Sequence, residues 1–109
     1  MSTAPLGEFE LVVLMAVLQL GADAYGSSIR DDIEYRTGRP VSRGAVYITL
    51  ERLEEKGLLV SKVGGAVSSR GGRPKRLFRA TAAGVKSVKH SVSLLVRMHR
   101  GLEPILGDL

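Results

Sequence analysis

The chain has 109 residues, of which 44% are hydrophobic, and a formal net charge of +5, which bounds it to one small domain with a modest core. It contains no cysteine, which excludes disulfides, thiolate metal sites and thiol catalysis. The opening MSTAPLGEFE has no basic segment ahead of an apolar one, and the longest apolar run, Leu11 to Leu18, is far too short for a membrane span. Neither a signal peptide nor a membrane partner is therefore expected, and a cytoplasmic location is.

Residues Glu8 to Leu20 read as a first helix, with Glu8 and Glu10 suiting the positive end of its dipole and Gly21 ending it. Leu11, Val12, Val13, Leu14, Met15, Val17, Leu18 and Leu20 cover nearly every side. A helix apolar all round is buried all round, and in so small a domain that argues for a second subunit over part of it, with Leu11 and Met15 as candidate interface residues. A second helix is expected from about Ala24 to Thr37, capped by Asp23, with Ile29 and Ile33 inward and Gly38 and Pro40 at its end. Gly26 reads equally as a turn residue or as a place where a neighbouring helix comes close. Tyr25 and Tyr35 are expected in the core or an interface. The short link to the next helix makes the pair a helix-turn-helix.

Val41 to Leu59 reads as a third helix with Ser42 as its N-cap and Gly57 as its left-handed stop. Val46, Leu50 and Leu53 form its apolar stripe, and Arg43, Tyr47, Glu51 and Arg52 the opposite face. Arg43, Gly44 and Ala45 make a small, basic first turn that suits entry into a DNA major groove. Two short strands are expected next, Leu58 to Val63 and Arg76 to Ala80, the second with Phe78 and Ala80 on one face. They flank a mobile glycine- and serine-rich loop from Gly64 to Gly72, and together make a wing. Thr81 caps a last helix running to about Gly101, in which Val85, Val88, Val92, Leu95, His99 and Leu102 recur at alternating spacings of three and four, a heptad seam for dimerisation. Between Lys56 and Glu103 the chain has no acid, while it holds Lys62, Arg70, Arg73, Lys75, Arg76, Arg79, Lys86, Lys89, Arg97 and Arg100. Such a one-sided field fits a nucleic-acid partner, against the blander alternative of a solvated basic surface.

Leu14 to Gly21 followed by Tyr25-Gly26, GAVYITLERLEEKGLL (Gly44 to Leu59) and GRPKRLFRATAAG (Gly72 to Gly84) stand in an order and spacing that resembles the PadR family of bacterial transcriptional regulators. The single short C-terminal helix resembles its compact subfamily. The resemblance implies a mainly α fold, a winged helix-turn-helix of three helices and a two-stranded wing plus a C-terminal dimerisation helix. Residues 1–80 would form the DNA-binding domain and 81–109 the dimerisation helix. It further implies a homodimeric repressor on a palindromic operator in double-stranded DNA. Carried over position by position, it implies DNA contacts by Ser42, Arg43, Gly44 and Tyr47 on the third helix and by Arg70, Arg73, Lys75 and Arg76 on the wing. Some members bind phenolic acids or flat cationic drugs at the dimer interface, one branch stacking them between tryptophans. This chain has no Trp, so it departs from that branch, and whether it has a small-molecule effector stays open.

No enzyme is expected. Neither histidine has an acid neighbour in sequence, no Ser-His-Asp set can be drawn, and the wing glycines lead into a strand rather than a helix, unlike a phosphate-binding loop. No metal or other cofactor is expected either, since His90 and His99 do not fall on adjacent turns. His99 reads as a packed neutral residue in the seam. The rival reading is a winged-helix adaptor that binds protein or RNA without operator specificity.

Overall fold

In the computed structural model, which describes residues 6–64 and 74–109, the hydrophobic core forms around α1 (Glu8–Leu20). Gly7 precedes this helix in an extended conformation, and its N–H donates to the Glu10 carboxylate at 3.2 Å. Leu11, Val13, Leu14, Ala16 and Val17 are buried. A 3₁₀ turn, Gly21–Asp23, follows.

The next helix, α2 (Gly26–Thr37), starts two residues later than the sequence suggests, and Asp23 is not its cap. Tyr25 takes the N-cap position, with its N–H bonded to the Ser28 hydroxyl at 2.9 Å, and the same hydroxyl donates to the Asp23 carbonyl at 2.6 Å. The reason lies in the wing. The Ala24 carbonyl accepts the Phe78 N–H at 2.8 Å and Tyr25 bridges Leu77, so this stretch is extended backbone hooked onto a strand. Ile29 and Ile33 point into the core as expected, whereas Tyr35 is 88% exposed.

The recognition-type helix, α3 (Arg43–Glu55), keeps both its expected signals: Ser42 Oγ accepts the Ala45 N–H at 3.1 Å, and Gly57 has φ of 75°. The end is a Schellman motif, with Leu58 N–H donating to Leu53 O at 2.9 Å and Gly57 N–H to Glu54 O at 3.0 Å. Its accompanying hydrophobic contact is there too, since Leu53 and Leu58 are both core residues. The wing pairs β1 (Leu59–Val63) antiparallel with β2 (Arg76–Ala80), placing Leu59 opposite Ala80 and Ser61 opposite Phe78. Phe78 is buried and Ala80 packs against the core from the same face. The residues between β1 and β2 expected to form a glycine-rich loop lie, from 65 to 73, outside the described residues.

The long helix α4 (Ala82–His99) is capped by Thr81, whose hydroxyl accepts the Gly84 N–H at 3.0 Å. Its buried positions are small: Gly84, Ser87 and Ser91. That lets its first half lie close against the domain, and Ser91 Oγ accepts the Leu6 N–H just ahead of α1. The helix ends at His99 rather than at Gly101, and Pro104 lies in the first turn of a short α5 (Glu103–Leu106) that the sequence reading did not anticipate. The second half of α4 reaches past the body. The radius of gyration, 15.6 Å, exceeds the roughly 13 Å of a compact chain this long.

Two glycines allow close approaches of different kinds. A Cβ on Gly26 would stand 2.7 Å from the Tyr47 hydroxyl oxygen and 2.8 Å from its ring, the free end of a half-exposed side chain. A Cβ on Gly84 would run into the Leu58 carbonyl oxygen, which is fixed backbone that already accepts the Thr81 N–H at 3.0 Å. Alanine in a helix gains about 1 kcal/mol over glycine, and overpacking against fixed atoms costs about 1–3 kcal/mol. Gly84→Ala is therefore expected to lower the thermal midpoint. Gly26→Ala is expected to leave it nearly unchanged, because the Tyr47 ring can swing away. Thermal unfolding by circular dichroism at matched protein concentration checks the contrast, and equal shifts for the two variants would contradict it.

Candidate nucleic-acid interface

Three ties set the attitude of α3. Val46, Leu50 and Leu53 are fully buried and Thr49 is 6% exposed, which fixes one side against α1 and α2. Each such aliphatic burial contributes about 1.5–3 kcal/mol. At the C-terminal end the Lys56 ammonium meets the Glu10 carboxylate of α1 at 2.7 Å. That hydrogen bond is the main reason the Glu10 carboxyl is held below its ordinary range. On the wing side, Glu54 accepts hydrogen bonds from the Ser61 hydroxyl at 2.8 Å and from Arg76 Nη2 at 2.9 Å. Exposed pairs of this sort are worth about 1 kcal/mol or less, so their effect is on geometry and the burial carries the stability.

With Val46, Thr49, Leu50 and Leu53 turned inward, helical spacing places Gly44, Ile48, Glu51 and Glu55 on the strip facing directly away. Arg43 and Tyr47 lie on one flank of that strip. Arg43 is exposed and has no carboxylate partner among the described residues. Tyr47 is 40% exposed with its ring laid over the bare backbone of Gly26. It was expected to be a DNA contact; in the fold its ring also packs on α2 at Gly26. Ser42 is exposed and occupied in capping, and nothing lies within 4 Å of where a Gly44 Cβ would stand. The sequence reading missed Ile48, which is 57% exposed. Its spacing from Val46 and Leu50 is the signal that marks it as outward.

The wing cations are less free than the sequence implied. Arg76 Nε donates to Ser61 Oγ at 2.9 Å while the rest of its guanidinium is on Glu54, so it braces the wing against α3. Lys75 Nζ sits 4.1 Å from the centroid of the Tyr25 ring, a cation–π contact that leaves the residue exposed. Arg70 and Arg73 lie outside the described residues. Arg79 is exposed on the far face of the sheet from Phe78.

The expected dimer residues divide. Val85 (47%), Leu95 (62%) and Leu102 (39%) are exposed, and Met15, Val92 and His99 are half-buried. His99 Nε2 is buried with no hydrogen-bond partner among the described residues. Leu11, however, is buried within its own chain, and Val88 packs against its own core. Both are thus engaged within the monomer, where the first half of α4 docks on its own domain. The opposite flank of α4 carries Lys86, Lys89, His90, Arg97 and Arg100. Among the described residues no group of His, Asp and Glu is placed to hold a metal, and no helix is long and apolar enough to cross a membrane.

Residues 13–90 match the Transcriptional regulator PadR-like family. No curated protein matches the chain. Among solved structures, a PadR family transcription regulator from Clostridium difficile superposes with a TM-score of 0.74 at 23% identity, covering 93% of this chain and 100% of that one. A PadR-like transcriptional regulator from Bacillus cereus gives 0.71 at 19%, covering 93% of both chains. A transcriptional regulator from Thermoplasma acidophilum gives 0.68 at 21%, covering 91% of this chain and 93% of that one. At such identities the structural likeness speaks for the fold, and the family match covers the core, α3, the wing and the first half of α4. The chain belongs to the PadR-like family of DNA-binding transcriptional regulators, and it is not an enzyme.

Proposed function

We propose that the protein is a homodimeric repressor that binds a palindromic operator, with α3 of each subunit in the major groove and the wing on the adjacent backbone. Residues 1–80 serve as the DNA-binding part and 81–109 as the dimerising part. The observation that carries the reading is the attitude of α3. One side is sealed in the core, while the slim, cationic end at Arg43 and Gly44 stands outward with no described partner. Bare backbone at Gly44 lets the first turn approach base edges. Arg43 has the planar fork that suits phosphate or a guanine edge.

The proposed dimer rests on the apolar side chains of α4. Past the domain, Leu95, Val96 and Met98 are exposed, and Leu102, Ile105, Leu106 and Leu109 continue the apolar surface. So many exposed apolar side chains on one stretch of chain suit an interaction site, and a second copy of the same helix complements them along Val85, Val92, Leu95, His99 and Leu102. Two-fold pairing gives two α3 helices about 34–36 Å apart, or a multiple of that, on DNA. Repression then needs only occupancy, because a dimer on the duplex excludes whatever else would bind there.

The test is a competition titration of the full-length protein against duplexes it recovers from a random pool and against random duplex. With about 6–10 phosphate contacts per dimer, affinity should fall by roughly 10³–10⁵ between 50 and 200 mM salt. Arg43→Ala should cost about 1–3 kcal/mol in specific binding with an unchanged circular dichroism spectrum. A Val92→Asp/Leu95→Asp double variant should sediment as a monomer and lose preference for paired half-sites. Salt-independent binding, or an Arg43→Ala protein that discriminates as the parent does, would move the protein- or RNA-binding reading ahead.

A further inference from the structure

The outward strip of α3 holds one apolar side chain that neither packing nor the contacts proposed above explain. Ile48 lies four residues after Gly44 and three before Glu51, facing away from Val46, Thr49, Leu50 and Leu53, and it is 57% exposed. A β-branched residue there costs helix propensity relative to alanine and leaves methyl groups in water. Nothing in the described chain covers it. Its neighbour one turn back, Gly44, has no side chain, and a Cβ there would meet nothing within 4 Å. The internal packing therefore does not require glycine at that point, and its absence of bulk leaves Ile48 as the side chain standing highest over the N-terminal half of the strip.

The chemistry of the major groove then limits what Ile48 can touch. Guanine shows acceptors at N7 and O6, cytosine a donor at N4, and adenine an acceptor and a donor. Thymine alone adds an apolar group, its C5-methyl. A sec-butyl side chain pressed on a guanine or cytosine edge strips water from polar atoms and returns no hydrogen bond. Pressed on thymine, it buries apolar surface on both partners. We propose that Ile48 reads a thymine in each half-site by burying the C5-methyl group of that base. The inference rests on the placement of α3 in the groove proposed above, and it makes Ile48 a specificity residue in addition to Arg43.

Replacing dT by dU removes the C5-methyl and nothing else from the base, so the probes are duplexes recovered by the wild-type protein from a random pool, scanned one thymine at a time. One thymine in each half-site should respond, with wild-type affinity falling about fourfold per half-site, the worth of one buried methyl-sized group. Ile48→Ala should bind the dT and dU duplexes equally, and Ile48→Val should keep part of the difference. Selected from the same pool, Ile48→Ala should accept other bases at that position. Equal affinity of the wild-type protein for dT and dU at every position, or undiminished discrimination by Ile48→Ala, overturns the inference. If Arg43→Ala still loses operator preference in that case, α3 remains the reader. A wild-type protein that recovers no sequence from the pool overturns the inference and the placement of α3 together.

Discussion

Leu58 is the joint on which the arrangement depends. Its N–H donates to Leu53 O and closes the Schellman turn of α3, and its carbonyl accepts the Thr81 N–H at the start of α4. Its side chain is buried, and Gly84 lies so close to its carbonyl oxygen that no Cβ fits between them. The Thr81 hydroxyl adds a hydrogen bond to Gly57 O at 2.8 Å. Within a few ångströms, then, the end of α3, the first step of the wing and the start of the long helix are fixed to one another. The left-handed φ at Gly57 makes this possible, because a residue with a Cβ resists that conformation.

From that joint the energetic weight divides unevenly. The large share comes from apolar burial along α1, α2 and α3, where seven large side chains from Val13 to Leu53 are fully enclosed, joined by Leu59 of β1. The ion pairs Lys56–Glu10 and Arg76–Glu54 are at the surface, with side chains 49% and 45% exposed on the cationic side. They contribute little to stability but fix the rotation of α3 and the lean of the wing. A reading surface needs that division. Recognition tolerates little play in α3, while its outward strip must stay free of intramolecular partners.

Much of this was legible in the sequence because the signals were local. Ser42, Gly57 and the Val46–Leu50–Leu53 stripe give the limits and the inner face of α3, and Glu8 with Gly21 gives the limits of α1. The start of α2 was not legible, since it is set by a bridge from Tyr25 to Leu77 in a strand far along the chain. The heptad pattern in α4 identified the apolar face but could not say where the chain's own domain stops covering it. Val88 and Leu95 belong to one stripe, yet Val88 packs on the core and Leu95 is 62% exposed. The same limit hid the engagement of Arg76 with Glu54 and the seating of Tyr47 on Gly26. Each is a tertiary fact with no local marker.

In the proposed complex DNA meets the outward side of α3 beside Arg43, and the separate cationic flank of α4 makes that placement testable in one experiment. Backbone amide shifts followed by NMR during titration with a recovered duplex should change most from Arg43 to Glu51 and at Lys75, with the α4 flank of Lys86, Lys89, Arg97 and Arg100 little affected. Largest changes along that α4 flank, with α3 unmoved, would contradict the account.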